Sequence, residues 1–283
     1  MSLVVTDLYR YPVKSCRGQQ LREVPVEPWG LAGDRRWMVV DPGSEVLTAR
    51  RHPAMLLVTP HLRDGALVLT GPGRPDLTVP VPSGDPLIPV TVSHSKLLAA
   101  PASPAADAWF SQVIGEPARL VYLDDPERRP TNPAYSRPGD RVSFADGYPL
   151  LLTAESSLGD LNYRVGAGPL VSEGPLSMRR FRPNVVVAGT VPWAEDAWRL
   201  LRIGDLTFRA VKGCDRCVMT TLDPDTAAPG QEPIATLARF RRWDGKVWFG
   251  VNLIPDSPRR GVAIRVGDPV EVLHQDHAGG PLR

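Results

Sequence analysis

The sequence predicts a mainly β chain with some α, built as an N-terminal β-barrel-like unit followed by a larger mixed β unit. Short apolar runs, several with the alternation of a half-buried strand, recur along its 283 residues. Between them lie 31 prolines and 25 glycines, spread along the chain instead of gathered in one tract. Helical spacing of apolar residues shows in few places.

In chain order, residues 3–11 alternate in part and read as a strand, 37–40 is a short apolar run, and 66–69, 77–79 and 89–92 follow between Gly, Pro and Asp turns. Strands so spaced suggest a small barrel or sandwich. Residues 105–114 place Trp109, Val113 and Ile114 on one side of a helix that stops at Gly115, and 119–123 returns to strand. The charged, proline-rich run DDPERRPTNPAYSRPGD, residues 124–140, is the best linker candidate between units of residues 1–123 and 124–283, although long functional loops share its composition. Residues 149–152 read as a buried strand, after which Thr153 can cap a helix through Ser157, Leu158, Leu161 and Val165, with Gly166 beyond its end. Further strands are expected at 185–188, 200–203, 207–211, 247–254, 262–266 and 269–273. Gly204-Asp205 and Gly267-Asp268 each sit between two apolar runs and read as hairpin turns. The tail HQDHAGGPLR is expected to be mobile.

A hydrophobic fraction of 42% and a charged fraction of 23% are those of a soluble globular protein. No run is long enough to span a bilayer and no secretory signal is visible, so a cytoplasmic address without membrane attachment is expected. Thirty-three basic against 31 acidic residues do not make the field of a nucleic acid binder. An anion site would have to be a local cluster.

Chemistry concentrates in Cys214-Asp215-Arg216-Cys217-Val218-Met219-Thr220-Thr221-Leu222-Asp223-Pro224-Asp225. Cys16 is the third cysteine, and an odd, small number argues against a disulfide framework. Four readings stay open. Zinc wants four ligands, and the five histidines show no matching spacing. A thioredoxin-like pair should open a helix after a strand, whereas Val-Met-Thr-Thr-Leu is strand-like. Simple burial is the ordinary state of free cysteines. A single thiolate could ligate a soft metal, with Arg216 helping to hold Cys217 deprotonated.

The segments YPVKSCRG (11–18), GDRRW (33–37), TAR (48–50), FRPN (181–184), EDAW (195–198), CDRCVMTTLDPDT (214–226), FGVN (249–252) and VGDPV (266–270) occur in order. Together they closely resemble the proteins with an N-terminal MOSC β-barrel domain followed by a MOSC domain, a group that includes the mitochondrial amidoxime reducing components and bacterial relatives. The resemblance runs from about residue 3 to residue 273. It implies a molybdenum cofactor, the Mo-molybdopterin, in the cleft between two β units, with Cys217 as metal ligand and catalytic residue and Cys214 as a neighbour. It carries Lys14, Ser15, Arg35, Thr48, Arg50, Arg182 and Asn184 onto positions that hold the pterin and its phosphate, with Asn252 reaching the same group. Such an anion suits Arg forks, a Lys point charge, and backbone N–H groups of the Lys14-Ser15 turn. Asp196, among acidic and aromatic neighbours, could buttress an arginine. With Lys14 and Arg35 grouped beside Arg182 and Cys217, the first strands become candidates to pack with the second unit.

The activity implied is two-electron reduction of small N-hydroxylated or N-oxygenated substrates. With no four-cysteine cluster in the sequence, electrons would come from a separate donor, a flavoprotein or an iron–sulfur protein. No room is seen for the aminotransferase-like domain of a full-length cofactor sulfurase. The alternative is a cofactor or sulfur carrier without turnover of its own.

Overall fold

The computed structural model describes residues 2–83, 86–256, 258, 261–276 and 280–282. The chain is mainly β with some α, as expected. Its first stretch forms β1 (Val4–Arg10), β2 (Gln19–Leu21), β3 (Glu23–Glu27), β4 (Gly30–Leu31), β5 (Trp37–Val40), β6 (Thr59–Arg63), β7 (Ala66–Thr70), β8 (Leu77–Pro80), β9 (Ile88–Val92) and β10 (Ser95–Pro101). Helix α1 (Pro104–Ile114) starts where the Ser103 hydroxyl accepts from the Ala106 amide at 3.2 Å with Pro104 in the first turn, and ends at Gly115, whose φ of 83° closes the C-terminus. Its Trp109, Phe110 and Val113 are buried against Met55, Leu67 and Leu69. After β11 (Arg119–Tyr122) come β12 (Leu150–Ala154), α2 (Glu155–Gly166), β13 (Val185–Ala188), β14 (Trp198–Ile203), β15 (Leu206–Asp215), α3 (Ile234–Phe240), β16 (Arg242–Trp243), β17 (Lys246–Pro255), β18 (Ala263–Arg265) and β19 (Val270–Gln275).

A nine-stranded sheet runs β19-β14-β15-β17-β12-β13-β1-β2, with β16 paired to β17. The β12–β13 pair is parallel, joined across α2, as a parallel pair requires. Smaller sheets order as β5-β11-β10-β9, β18-β3-β4 and β6-β7-β8. The first 27 residues therefore contribute β1 and β2 to the sheet built after residue 150, and β3 pairs with β18. The expected span 1–123 had assigned them to the first unit. The largest core packs Leu8, Val24 and Leu31 from that N-terminal stretch with Leu152, Val187, Phe208, Leu253 and Ile264.

Several expectations are corrected. Thr153 lies inside β12, fully buried, and does not cap α2; Ala154 stands at that position and Gly166 is the last helical residue. Gly267-Asp268 turns the chain between strands of different sheets, so only Gly204-Asp205 closes a hairpin of the two. The 124–140 run is not a free linker: Pro126, Arg129 and Thr131 are buried in it. In the tail, residues 277–279 and 283 lie outside the described residues, but Pro281 is buried and the Leu282 carbonyl accepts from the Gly213 amide at 2.6 Å. No helix among the described residues is long and apolar enough to cross a membrane.

Asp196 does buttress an arginine, accepting from Arg241 at 2.6 and 2.9 Å with both side chains buried. Its neighbour Glu195 is fully buried, accepts from the Ser157 hydroxyl at 2.9 Å, and is pushed up to about 7 by burial. A folded-state value above the unfolded 4.5 means the folded chain holds an extra proton between them. That contribution is complete below 4.5 and lost as pH rises through about 7. Glu195→Gln removes the loss, so its melting temperature should gain on the wild type between pH 5 and 8, by at most about 3 kcal/mol of stability. A constant offset between the two scans would contradict this.

Candidate functional site

The motif segments converge because each is tied down by backbone and buried contacts. In YPVKSCRG, Gly18 leaves room for the Tyr11 ring, which a Cβ there would meet at 2.5 Å. Asp34 of GDRRW accepts from the Tyr11 amide at 2.7 Å and from Arg35 Nη1 at 2.5 Å, while the Arg35 amide donates back to the Tyr11 carbonyl at 2.7 Å. FRPN meets FGVN where Phe181 stacks on Phe249, ring centroids 3.8 Å apart. Three of the predicted site residues, Ser15 (φ 69°), Arg35 (φ 48°) and Arg182 (φ 56°), hold left-handed backbone, a conformation costing of order 1–3 kcal/mol each that clusters at ligand sites.

All nine predicted residues, Lys14, Ser15, Arg35, Thr48, Arg50, Arg182, Asn184, Cys217 and Asn252, line one cavity of about 740 Å³. Strand β15 leads to its centre and ends at Asp215. The next residues turn through Cys217 into a single 3-10 turn, Val218–Thr221, where a strand-like run was expected. Thr220 and Thr221 make that turn, their hydroxyls donating to the Cys217 and Val218 carbonyls at 2.9 and 2.8 Å. The Cys217 carbonyl also accepts from the Thr220 amide at 3.1 Å.

The arginine beside Cys217 is not the expected Arg216. Arg50 Nε donates to Cys217 Sγ at 3.2 Å, whereas Arg216 Nη1 lies 2.8 Å from Cys214 Sγ and its Nη2 donates to the Phe181 carbonyl. Burial pushes the Cys214 thiol up despite Arg216. Arg50 Nη2 also donates to Asp146 Oδ2 at 3.1 Å, and Asp146 pairs with Lys14. A line of contacts therefore runs Lys14, Asp146, Arg50, Cys217. The Lys14 side chain is 8% exposed, Nζ also donating to the Phe144 carbonyl at 2.8 Å, while Asp146 is 62% exposed and faces the cavity. Burial lowers Lys14 to about 8; Lys14 and then Arg50 hold Asp146 well below the usual carboxylate range.

The backbone of the Lys14-Ser15 turn is less available than expected. The amides of Lys14, Cys16 and Arg17 donate to the Trp37, Val13 and Val58 carbonyls. Asn184 is committed too: Oδ1 accepts from Leu151 N and Arg35 Nη1, both at 3.2 Å, and Nδ2 donates to the Tyr9 carbonyl. Asn252 Nδ2 donates to the Gly213 carbonyl at 3.0 Å, bracing the strand that carries the cysteines. These two asparagines act on their neighbours' positions. Arg35 and Arg182 lie over the Tyr11 ring, 4.5 and 4.2 Å from its centroid. Arg182 is lowered to about 10 by burial, and its Nη2 is buried with no hydrogen-bond partner.

Asp146, Arg129 and Lys212 are among the lining residues that the sequence did not single out. Asp146 sits in a Phe-Ala-Asp-Gly-Tyr-Pro stretch that reads only as a turn. Arg129 lies in the expected linker; it donates to the Ser143, Ala145 and Asp146 backbone carbonyls and so shapes the Asp146 loop. Lys212 lies one residue past the expected strand 207–211 and carries no motif.

Lys14, Arg35 and Arg182 make a donor set that fits an anionic pterin phosphate. Lys14, Arg35, Arg50, Arg129, Arg180, Arg182, Lys212 and Arg216 line the cavity against two carboxylates, Asp146 and Asp215. The partnerless Arg182 Nη2 is the kind of buried donor that a phosphate oxygen satisfies. Among the described residues no group of three or more His, Cys, Asp or Glu could hold a metal ion, which leaves the zinc alternative without ligands there.

A family profile described as the MOSC N-terminal beta barrel domain matches residues 2–117, and one described as the MOSC domain matches residues 139–271. The chain is 33% identical to mitochondrial amidoxime-reducing component 1 of Homo sapiens, over 96% of this chain and 83% of that protein. It is 33% identical to mitochondrial amidoxime reducing component 2 of Rattus norvegicus, over 94% of this chain and 82% of that one. Molybdenum cofactor sulfurase of Oryza sativa subsp. japonica is 34% identical over 86% of this chain, which spans 31% of that protein.

Proposed function

The chain belongs to the MOSC family, with a MOSC N-terminal β-barrel domain ahead of a MOSC domain, and on that premise we propose that it is a molybdenum-cofactor oxidoreductase reducing small N-hydroxylated or N-oxygenated compounds. The observation that carries this reading is the single cavity lined by all nine residues, with its excess of cationic side chains. Bound there, the cofactor would supply a metal able to exchange two electrons, the number needed to remove oxygen from nitrogen as water. Cys217 would be its protein ligand. Lys14, Ser15, Arg35 and Arg182 would hold the pterin and its phosphate, with Thr48 and Arg50 on the facing loop and Asn184 and Asn252 positioning Arg35 and β15.

In this reading the units of about 1–123 and 124–283 meet at the cavity, with the first strands built into the second. Electrons come from a separate flavoprotein or iron–sulfur protein in the cytoplasm. This reading takes no nucleic acid or membrane as a partner: 33 basic against 31 acidic residues leave little net field, and eight of the basic side chains line the one cavity. The test is turnover of benzamidoxime to benzamidine by cofactor-loaded protein with a chemical reductant. No reduction of any amidoxime, hydroxylamine or N-hydroxylated base would sink the proposal.

A second thiol, Cys214, lines the same cavity, and the rice relative is named a cofactor sulfurase. Both favour carriage of cofactor or sulfur as the alternative. Transfer to an apo-enzyme without turnover would select it.

A further inference from the structure

The cations of the cavity are not equivalent. Lys14 and Arg50 share Asp146, Arg35 pairs with Asp34, Arg180 pairs with Asp223, and Arg129 is spent on backbone carbonyls. Asp215, the other lining carboxylate, pairs with Lys246 at 3.4 Å. Lys212 has no ion pair among the described residues. Its Nζ stands 4.6 Å from the Tyr135 ring centroid and 6.0 Å from that of Trp248. Tyr135 meets Tyr148, a lining residue, edge to face at 6.5 Å.

The backbone places Lys212 in the cavity by design of register. Ala210 faces Leu253 across the β15–β17 ladder and both belong to the apolar core. Strict alternation would put Lys212 on that same core side. The register skips Val211, so that Lys212 instead faces Asn252, a cavity residue, and shares its side of the sheet. A bulge that turns a lysine out of the core, into a cavity, beside aromatic rings and without an ion pair among the described residues leaves a site for an anion.

We propose that Lys212, with Tyr148 and Tyr135 as an aromatic wall, is the specificity-determining subsite for a substrate anion, so that the preferred substrates are aryl N-hydroxylated compounds bearing a carboxylate. This rests on the reductase reading of the cavity and narrows it. Lys212 stands on β15 two residues before Cys214 and five before Cys217, on the strand that delivers the proposed metal ligand, while the phosphate-holding Arg182 and Lys14 come from other elements. One ligand end is thus held by Lys14, Arg35 and Arg182, and the substrate's charge by Lys212. An ammonium with aromatic neighbours grips a carboxylate by a charge-assisted hydrogen bond.

The test compares 4-carboxybenzamidoxime with benzamidoxime by titration calorimetry on cofactor-loaded protein, together with turnover and molybdenum content. The wild type should bind the carboxylated compound about tenfold more tightly. Lys212→Met should erase that preference, keep benzamidoxime affinity and bound molybdenum, and act on KM more than on kcat; Lys212→Arg should restore the preference. Equal affinities in the wild type would overturn the subsite while leaving the reductase reading intact. Loss of molybdenum in Lys212→Met would overturn it as well, because the lysine would then hold the cofactor. Lys212-dependent binding without reduction of either compound would support the anion subsite and count against the reductase.

Discussion

Molybdenum and pterin, near-stoichiometric in wild-type protein from a host that makes the cofactor, should fall together to background in Cys217→Ala and stay in Cys214→Ala. The two cysteines are three residues apart, yet their surroundings differ. Cys217 begins the 3-10 turn, fixed by the two threonine hydroxyls, with Arg50 3.2 Å from its sulfur. Sulfur is the donor atom that a thiophilic metal selects. Cys214 lies where the β15–β17 register is broken, and burial pushes its thiol up even with Arg216 beside it. A site with one protein ligand to its metal has nothing to replace that ligand, so turnover should drop by at least about a thousandfold, the scale lost when a group essential to the chemistry is removed. Metal retained by Cys217→Ala and lost from Cys214→Ala would mean that the other sulfur is the ligand.

The second large effect should come from a residue no motif contains. Asp146→Ala leaves the buried Lys14 ammonium with only the Phe144 carbonyl and frees Arg50 from its hold near Cys217. Removing one partner of a buried charge pair costs about 3–5 kcal/mol, and the solvent-facing side of Asp146 argues for the lower end here. In a chain of this size that is a fall in melting temperature of roughly 5–10 °C. Cofactor content should drop as well, since Lys14 and Arg50 lose the group that aims them. The double variant Lys14→Met, Asp146→Ala should regain most of the stability of the single one, because no charge is left stranded. Additive losses in the double variant would show that the pair is not coupled.

How far the sequence foretold this structure depends on how local the evidence was. Val185–Ala188 and Trp37–Val40 were legible as strands because each is a short apolar run, and all of their residues but Ala188 are buried. The candidate site residues were named through motif resemblance, and all nine line one cavity. What escaped was decided by distant partners. Thr153 looks like a cap, but β13 and β17 claim its strand on both sides. Val-Met-Thr-Thr looks like a strand, but threonine hydroxyls close it into a turn. Asp146 gains its importance from Lys14, 132 residues away, and Arg50, 96 away. No spacing rule in the sequence connects them. The bulge at Val211, which decides where Lys212 points, is likewise a property of the ladder and not of either strand alone.

The place of β1 has a consequence for how the molecule is made. Val4 pairs with Ala188, and the Thr6 hydroxyl donates to the Val186 carbonyl, a separation of 180 residues. At ordinary ribosomal speeds the first strand waits roughly ten to forty seconds for its partner to emerge. Through that interval the edge of β1 that will meet β13 has no partner and is open to other chains, while β2 can pair with its other side. Closure of so long a loop is slow as well as late, since high contact order retards folding. Strands β14, β15, β17 and β19, all made after β13, belong to the same sheet, so the large sheet is complete only once residue 275 has emerged. The cavity that Lys14 and Ser15 line also takes residues as late as Asn252. A nascent chain therefore has no complete anion site to offer.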